Sequence, residues 1–80
     1  MDLFTEIKAI MVKELALGEE IVVPEAHLQD DLGADSLAIL NLTEIIALRY
    51  KIEIVGDDLV DIANVGELVK LVESKISLKT

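Results

Sequence analysis

Apolar side chains recur at three- and four-residue intervals between residues 2 and 16, the spacing that places them on one face of an α-helix. The charged side chains of this segment fall mostly off that face. The apolar positions are Leu3, Ile7, Ile10, Met11 and Leu15. The pattern predicts a first helix over 2–16, and we expect Gly18, just beyond it, to end the helix.

The segment 19–35 has no sustained helical period, and Pro24, Gly33 and several acidic residues indicate a long connection. A connection of this length is expected to be pinned to the rest of the protein or to carry function. The apolar side chains expected to pin it on the helices are Ile21, Val22, Leu28 and Leu32. The run 21–23 also fits a short strand, although the sequence offers it no partner strand.

A second helix is expected over 36–50, and it has two apolar faces. At about 100° per residue, the face that we assign to the core carries Ile39, Leu42, Thr43, Ile46 and Tyr50. The opposite face carries Leu37, Leu40 and Leu48, together with Asn41 and Glu44. One small core has no room for both faces. The second face is therefore either covered by neighbouring parts of the chain or is a docking surface for another protein.

The last third of the chain predicts a connection over 51–56, a short helix over 57–61 and a final long helix. Ile52 and Ile54 are expected to turn inwards, and Asn64 and Glu67 have the spacing of a capping box. The apolar stripe of the final helix comprises Val65, Leu68, Val69, Val72 and Ile76. The predicted fold is all-α: a four-helix bundle with a long first loop and a short third helix, formed by a single domain over 1–80.

The net charge limits the classes of partner that the protein can bind, and the lengths of its apolar runs limit its location. The chain has 16 acidic and 7 basic residues and a formal net charge of −9, which argues against nucleic-acid binding and favours basic partners. No apolar run approaches the ~20 residues needed to span a bilayer, and the N-terminus lacks the basic region of a signal peptide. We expect a soluble, cytoplasmic protein without a membrane span.

The sequence gives little support for catalysis or metal binding. Ser36 lacks the glycines of a Gly-x-Ser-x-Gly nucleophile elbow, and His27 is the only histidine. No cysteine is present. Two groups of acids, at 30, 31 and 35 and at 57, 58 and 61, do not have the spacing of a calcium-binding loop, and solvated helix-end charge explains them better. We therefore expect a protein that is not an enzyme and binds no metal.

The segment 32–37 reads Leu-Gly-Ala-Asp-Ser-Leu and resembles the Leu-Gly-x-Asp-Ser-Leu motif of acyl carrier proteins. The resemblance extends to Tyr50, where the family has an aromatic residue, to the Glu53-Ile54 pair, and to the helix pattern of essentially the whole chain. Members of this family are small four-helix proteins that carry acyl groups on a 4'-phosphopantetheine arm. The alternative interpretation of Ser36 is a plain helix-capping serine.

The resemblance implies that Ser36 accepts 4'-phosphopantetheine from coenzyme A in a reaction performed by a phosphopantetheinyl transferase, the holo-acyl-carrier-protein synthase. Gly33, Asp35 and Leu37 would flank this cofactor-binding site. The arm would then carry acyl groups as thioesters to partner enzymes: acyl-acyl-carrier-protein synthetases, ketosynthases and acyltransferases. The chain itself would be their substrate and is expected to be a monomer.

The resemblance also implies an acyl pocket between the second and third helices. Its candidate residues, each of which also fits an ordinary core position, are Ile39, Leu42, Thr43, Ile46, Ile54, Leu59 and Ile62. The partner-docking candidates are Leu37, Leu40, Asn41, Glu44 and Leu48.

The second helix departs from the acid-rich pattern of carriers in bulk fatty-acid synthesis, because Glu44 is its only acid. Docking would then depend more on hydrophobic contact than on electrostatic steering. This favours a specialised lipid or polyketide pathway over general fatty-acid synthesis. The alternatives are a carrier of aminoacyl or other small acyl groups and an unmodified helical interaction module.

Overall fold

A computed structural model describes residues 2–79, and within this range the chain forms four α-helices and one 3-10 helix without a β-strand. The elements are α1 (Leu3–Leu15), a 3-10 helix (Glu19–Ile21), α2 (Ser36–Tyr50), α3 (Gly56–Leu59) and α4 (Val65–Lys79). The all-α, four-helix architecture with a long first connection and a short third helix is confirmed. No helix in residues 2–79 is long and apolar enough to cross a membrane.

Both ends of α1 are fixed by hydrogen bonds. The Asp2 carboxylate accepts the Thr5 N–H at 2.8 Å. Hydrogen bonding to the Thr5 side chain, and then to this N–H, lowers the pKa of Asp2. The helix ends at Leu15 and is followed by the capping residue Ala16, which is left-handed at φ 56°, so the prediction that Gly18 ends it is wrong. The chain reverses earlier because Leu17 packs on the core and its N–H bonds the Val12 carbonyl at 3.1 Å.

The connection between α1 and α2 is pinned largely as expected. Val22, Leu28 and Leu32 are buried in the core, which confirms three of the four predicted contacts. The prediction for Ile21 is wrong, since this side chain is 41% exposed. The 3-10 helix also replaces the alternative of a short strand, and its tight turn directs Val22, rather than Ile21, into the core.

Three backbone hydrogen bonds join this connection to the start of α4. The Leu28 N–H donates to the Ala63 carbonyl at 2.9 Å, and the Val65 N–H donates to the Ala26 carbonyl at 3.1 Å. The Gly66 N–H donates to the Pro24 carbonyl at 2.9 Å, and a β-carbon at position 66 would lie 3.2 Å from that oxygen. The connection is thus attached through its backbone as well as through its buried side chains.

The core draws on α1, the connection, α2 and α4, and the predicted apolar faces of these helices point into it. Its buried members are Ile7, Met11, Val22, Ala26, Leu28, Leu32, Leu42, Ile46, Val65, Leu68 and Val72. Ile52 and Ile54 are half-buried against this core, as predicted. The capping box of α4 is confirmed: the Glu67 N–H bonds the Asn64 side-chain oxygen at 2.9 Å, and the Glu67 carboxylate accepts the Asn64 N–H at 3.3 Å.

The third helix is shorter than predicted and begins earlier, at Gly56 instead of position 57, and ends at Leu59 instead of position 61. The Asp58 carboxylate accepts the Val55 N–H at 3.0 Å, which fixes the start of the helix at Gly56. The chain leaves the helix early because Ile62 packs against the core. None of the four residues of α3 is fully buried.

Candidate functional site

Ser36 is the first residue of α2 and lies exposed at the surface. The helix start is fixed by Asp35, whose carboxylate accepts the Ala38 N–H at 2.8 Å. Asp35 therefore caps the helix. Within residues 2–79 no group hydrogen-bonds the Ser36 hydroxyl. The hydroxyl is therefore exposed and makes no hydrogen bond to the described residues.

The turn before Ser36 is held by buried residues on either side of Gly33. Leu32 and Ala34 are 6% and 3% exposed, and the Ala34 N–H donates to the Leu28 carbonyl at 2.9 Å. Gly33 is left-handed at φ 70°, with open space where a β-carbon would be, so its backbone conformation and not the available volume favours glycine. These anchors present Ser36 on a firm turn.

An open depression of about 360 Å³ lies beside Ser36. It is lined by Gln29, Gly33, Ala34, Asp35 and Ser36. Gln29 was not predicted as part of the site. It reaches this position because its carbonyl accepts the Gly33 N–H at 3.1 Å. Gly33 marks a turn in the sequence, but no pattern there points to Gln29.

A groove of about 350 Å³ begins at Ser36 and runs between α2 and α3. Its lining residues are Gln29, Ser36, Ile39, Leu40, Gly56, Leu59, Val60 and Ile62. Three of the acyl-pocket candidates are therefore brought together beside Ser36. Gly56 and Val60 were not predicted, because their contribution depends on where α3 packs.

A second open groove, of about 470 Å³, lies on the other side of Leu40. Thr43, Ile54 and Leu59 are the pocket candidates that line it. The Thr43 hydroxyl donates to the Leu40 carbonyl at 3.0 Å, so its polar atom is satisfied within α2. The remaining candidates, Leu42 and Ile46, are instead fully buried core residues and line neither groove.

The second apolar face of α2 is open to solvent. Leu37, Leu40 and Leu48 are 66%, 51% and 74% exposed, and Asn41 and Glu44 are also exposed. The described part of the chain therefore leaves this face largely uncovered. The face extends along α2 from the turn after Ser36 almost to the end of the helix, where Arg49 follows.

Acidic side chains near Ser36 have structural partners. Asp31 accepts the His27 N–H at 2.7 Å, and Asp30 lies 3.6 Å from the His27 ring nitrogen. In residues 2–79 no group of three or more His, Cys, Asp or Glu side chains is arranged to hold a metal ion. Asp58, in the other acidic group, bonds the Val55 N–H and pairs with Lys75 at 3.0 Å.

Comparison with known proteins identifies the family of this chain. Residues 5–72 match the family described as "Phosphopantetheine attachment site". The chain is 38% identical over 73 residues to the acyl carrier protein of Helicobacter pylori strain J99, covering 91% of this chain and 94% of the relative. It is 35% identical over 75 residues to the acyl carrier protein of Thermotoga maritima, covering 94% and 93%. The chain belongs to the acyl carrier protein family, whose prosthetic group is covalently attached 4'-phosphopantetheine.

Proposed function

We propose that Ser36 is the residue that carries the 4'-phosphopantetheine arm. The observation that supports this most strongly is its exposed, uncommitted hydroxyl at the start of α2, beside an open depression and the mouth of a groove. An arm linked through phosphate needs a hydroxyl that an external enzyme can reach and space for a flexible chain beyond it. The described residues around Ser36 meet both requirements.

The chain's own residues position the attachment point and do not activate it. Asp35 fixes the first turn of α2, and Gly33 turns the chain so that Ser36 faces outwards. The partly positive N-terminus of α2 would stabilise an attached phosphodiester by about 0.3–1 kcal/mol. The arm, when bound, supplies the thiol that forms the thioester. The Ser36 oxygen would serve only as the attachment atom, and the acyl chemistry would belong to the arm.

In this proposal the protein is a non-catalytic carrier. It is first the substrate of a phosphopantetheinyl transferase and then of acyl-acyl-carrier-protein synthetases, ketosynthases and acyltransferases. It acts as a monomer in the cytoplasm. The Ser36 hydroxyl would be deprotonated by the transferase, which agrees with its lack of a hydrogen-bonded base among residues 2–79.

We further propose that this carrier serves a specialised lipid or polyketide pathway. The support is the exposed face of Leu37, Leu40 and Leu48, in a helix whose only acid is Glu44. A partner that fits this face presents apolar side chains at the centre of its docking surface. General fatty-acid synthesis, aminoacyl cargo and an unmodified interaction module are the competing functions.

Intact mass spectrometry tests the attachment. Incubation with coenzyme A, magnesium and a phosphopantetheinyl transferase is expected to add the mass of one arm to the wild type and none to Ser36→Ala. Ser74→Ala, an exposed serine in α4, is the matched control and is expected to be modified normally. An unmodified wild type with several transferases that modify other carriers would contradict the proposal. Acyl groups retained by protein from its native cell would identify the cargo.

A further inference from the structure

The short helix α3 is joined to α4 by an ion pair. The Lys75 ammonium lies 3.0 Å from the Asp58 carboxylate, and the two side chains are only 26% and 22% exposed. Asp57 and Asp61, the neighbouring acids, are exposed. Because none of the α3 residues is fully buried, apolar packing holds this helix only weakly. The half-buried ion pair therefore contributes a large part of what fixes the position of α3.

The position of α3 matters because the helix forms one wall of the groove beside Ser36. Gly56, Leu59 and Val60 supply this wall, and Ile39 and Leu40 of α2 supply the opposite one. Leu59 follows Asp58 directly, so a displacement of the ion pair displaces this apolar wall. The groove keeps its shape only while α3 stays against the bundle.

We propose that Asp58 and Lys75 are positioning residues: their ion pair holds α3 in place and so determines how well the groove shields an acyl chain. The part of this inference that concerns the acyl chain rests on the proposed function. Asp58 has a second role, because it also accepts the Val55 N–H at the start of α3. That bond and Lys75 both lower the pKa of Asp58.

The first test measures hydrogen exchange of α3 in the unmodified protein. Lys75→Gln removes the ion pair and leaves the bond from Val55 to Asp58. It is expected to speed exchange of the Asp58, Val60 and Ile62 amides by about two- to fivefold, the range typical of a lost ion pair near the surface. Lys70→Gln changes an exposed lysine of α4, the helix that carries Lys75, and is expected to leave these exchange rates unchanged.

Asp58→Asn and Asp57→Asn give a second matched pair. Both remove one negative charge from the first turn of α3, but only the first removes the partner of Lys75. Faster α3 exchange is expected for Asp58→Asn alone, and Lys75→Gln is expected to add little to it. If Lys75→Gln and Lys70→Gln exchange alike, the ion pair does not position α3 and the inference is overturned.

The second test measures shielding of the cargo in the modified protein. Holo-protein is loaded with octanoyl or acetyl groups, and cleavage of each thioester by hydroxylamine is followed by mass spectrometry. Lys75→Gln is expected to speed cleavage of the octanoyl group by about two- to fivefold and to leave acetyl cleavage unchanged, because an acetyl group has no chain to place in the groove. Equal acceleration of both thioesters, or of neither, would overturn the shielding role.

The two tests separate this inference from the proposed function. Hydrogen exchange needs no arm, so unchanged exchange in Lys75→Gln counts against the ion pair alone. Failure of the transferases to modify Ser36 counts against the proposed function and leaves the exchange result intact.

Discussion

Gly33, three residues before Ser36, turns the chain through a left-handed backbone conformation at φ 70°. A residue with a β-carbon is strained in this region, whatever the space around it. The placement of Ser36 thus depends on one dihedral angle as well as on buried neighbours. Gly56 provides a contrast, because its φ is ordinary and a β-carbon there would meet open space.

Gly33→Ala is expected to destabilise the protein by about 1–2 kcal/mol, the cost of holding an L-residue in the left-handed region. Gly56→Ala is the matched control and is expected to be neutral or to stabilise by up to about 1 kcal/mol, since it restricts the unfolded chain. Urea denaturation measures both. Equal effects would show that Gly33 is not constrained by its φ.

Tyr50 is expected to titrate above the ordinary tyrosine pKa of about 10. Partial burial raises its pKa most, and the Glu6 carboxylate, which accepts the phenol hydrogen at 2.8 Å, raises it further. Since the folded-state pKa is the higher one, this stabilisation is complete below the unfolded pKa and is lost as pH rises through the folded pKa.

Absorbance of tyrosinate measures this titration cleanly, because the chain has one tyrosine and no tryptophan. The midpoint is expected to be higher in the folded protein than in urea. Glu6→Gln keeps an acceptor but removes the charge, so it should lower the folded midpoint while leaving the midpoint in urea unchanged. A folded midpoint equal to the unfolded one would contradict the contact.

At the scale of the helices, α1 and α2 both end in left-handed residues other than glycine, Ala16 and Lys51 at φ 56°. After each, the next N–H bonds a carbonyl one turn back: Leu17 to Val12 at 3.1 Å and Ile52 to Ala47 at 3.0 Å. These ends have the hydrogen bonds of a regular helix terminus without its usual glycine. Ala16 and Lys51 therefore each carry backbone strain that a glycine would remove.

Ala16→Gly is expected to stabilise the protein by up to about 1 kcal/mol, because glycine adopts the left-handed conformation without strain. Ala9→Gly makes the same chemical change at an exposed position inside α1 and is expected to cost about 1 kcal/mol. Thermal or urea unfolding distinguishes the two. A loss of stability in Ala16→Gly would contradict the described helix end.

The exposed face of α2 predicts how partners respond to substitution. Leu48→Gln, which leaves both grooves untouched, is expected to lower kcat/KM with a partner acyltransferase or ketosynthase about tenfold, the size of a moderate apolar hot spot. Glu44→Gln, on the same face, is expected to change it less than about threefold. The ratio of kcat/KM between the leucine variant and the wild type should vary little with salt concentration, because hydrophobic contact is not screened.

Both substitutions are at exposed positions, so unfolding free energies within about 0.5 kcal/mol of the wild type are expected and would exclude misfolding as the cause. If Glu44→Gln proves the more damaging change, charge steering dominates docking. The preference for a specialised pathway then loses its support.

At the scale of the whole molecule, the connection before Ser36 and the start of α4 form one unit. Gly66 donates to the Pro24 carbonyl, and a β-carbon at 66 would approach that oxygen to 3.2 Å. Gly66→Val is therefore expected to push the connection away and cost about 1–3 kcal/mol, the usual penalty of overpacking.

Ser74→Val places the same side chain at an exposed position of α4 and is expected to have little effect. Valine is also a better helix former than glycine, so a loss in Gly66→Val cannot come from helix propensity. Stability of Gly66→Val equal to that of the wild type would show that the connection yields without cost.

The sequence predicted the features that arise from local periodicity. The stripes of α1 and α4, the limits of α2 and the Asn64–Glu67 capping box depend on residues a few positions apart, and the structure reproduces them. The resemblance of segment 32–37 to the family motif led to Ser36. Long-range packing decided the rest. Helix α1 ends before Gly18 because Leu17 packs on the core, and of the two neighbours expected to pack inwards, Val22 does so and Ile21 does not.

The same limit applies to the candidate site. Gln29, Gly56 and Val60 face the space around Ser36 because of the paths of the connection and α3, which no local pattern encodes. Leu42 and Ile46 share the helix face of Ile39, yet they are fully buried because the bundle closes over them. Helix periodicity identifies a face but does not show where a cavity along it ends.

The backbone hydrogen bonds that join Pro24, Ala26 and Leu28 to the start of α4 also bear on when, during synthesis, Ser36 can be modified. During synthesis Ser36 leaves the ribosome before α4, when the connection has no partner for these bonds. We therefore expect the turn that presents the hydroxyl to be fully held in place only after α4 has emerged and docked. A transferase that recognises this turn would then modify chains in which α4 has docked faster than nascent chains in which it has not.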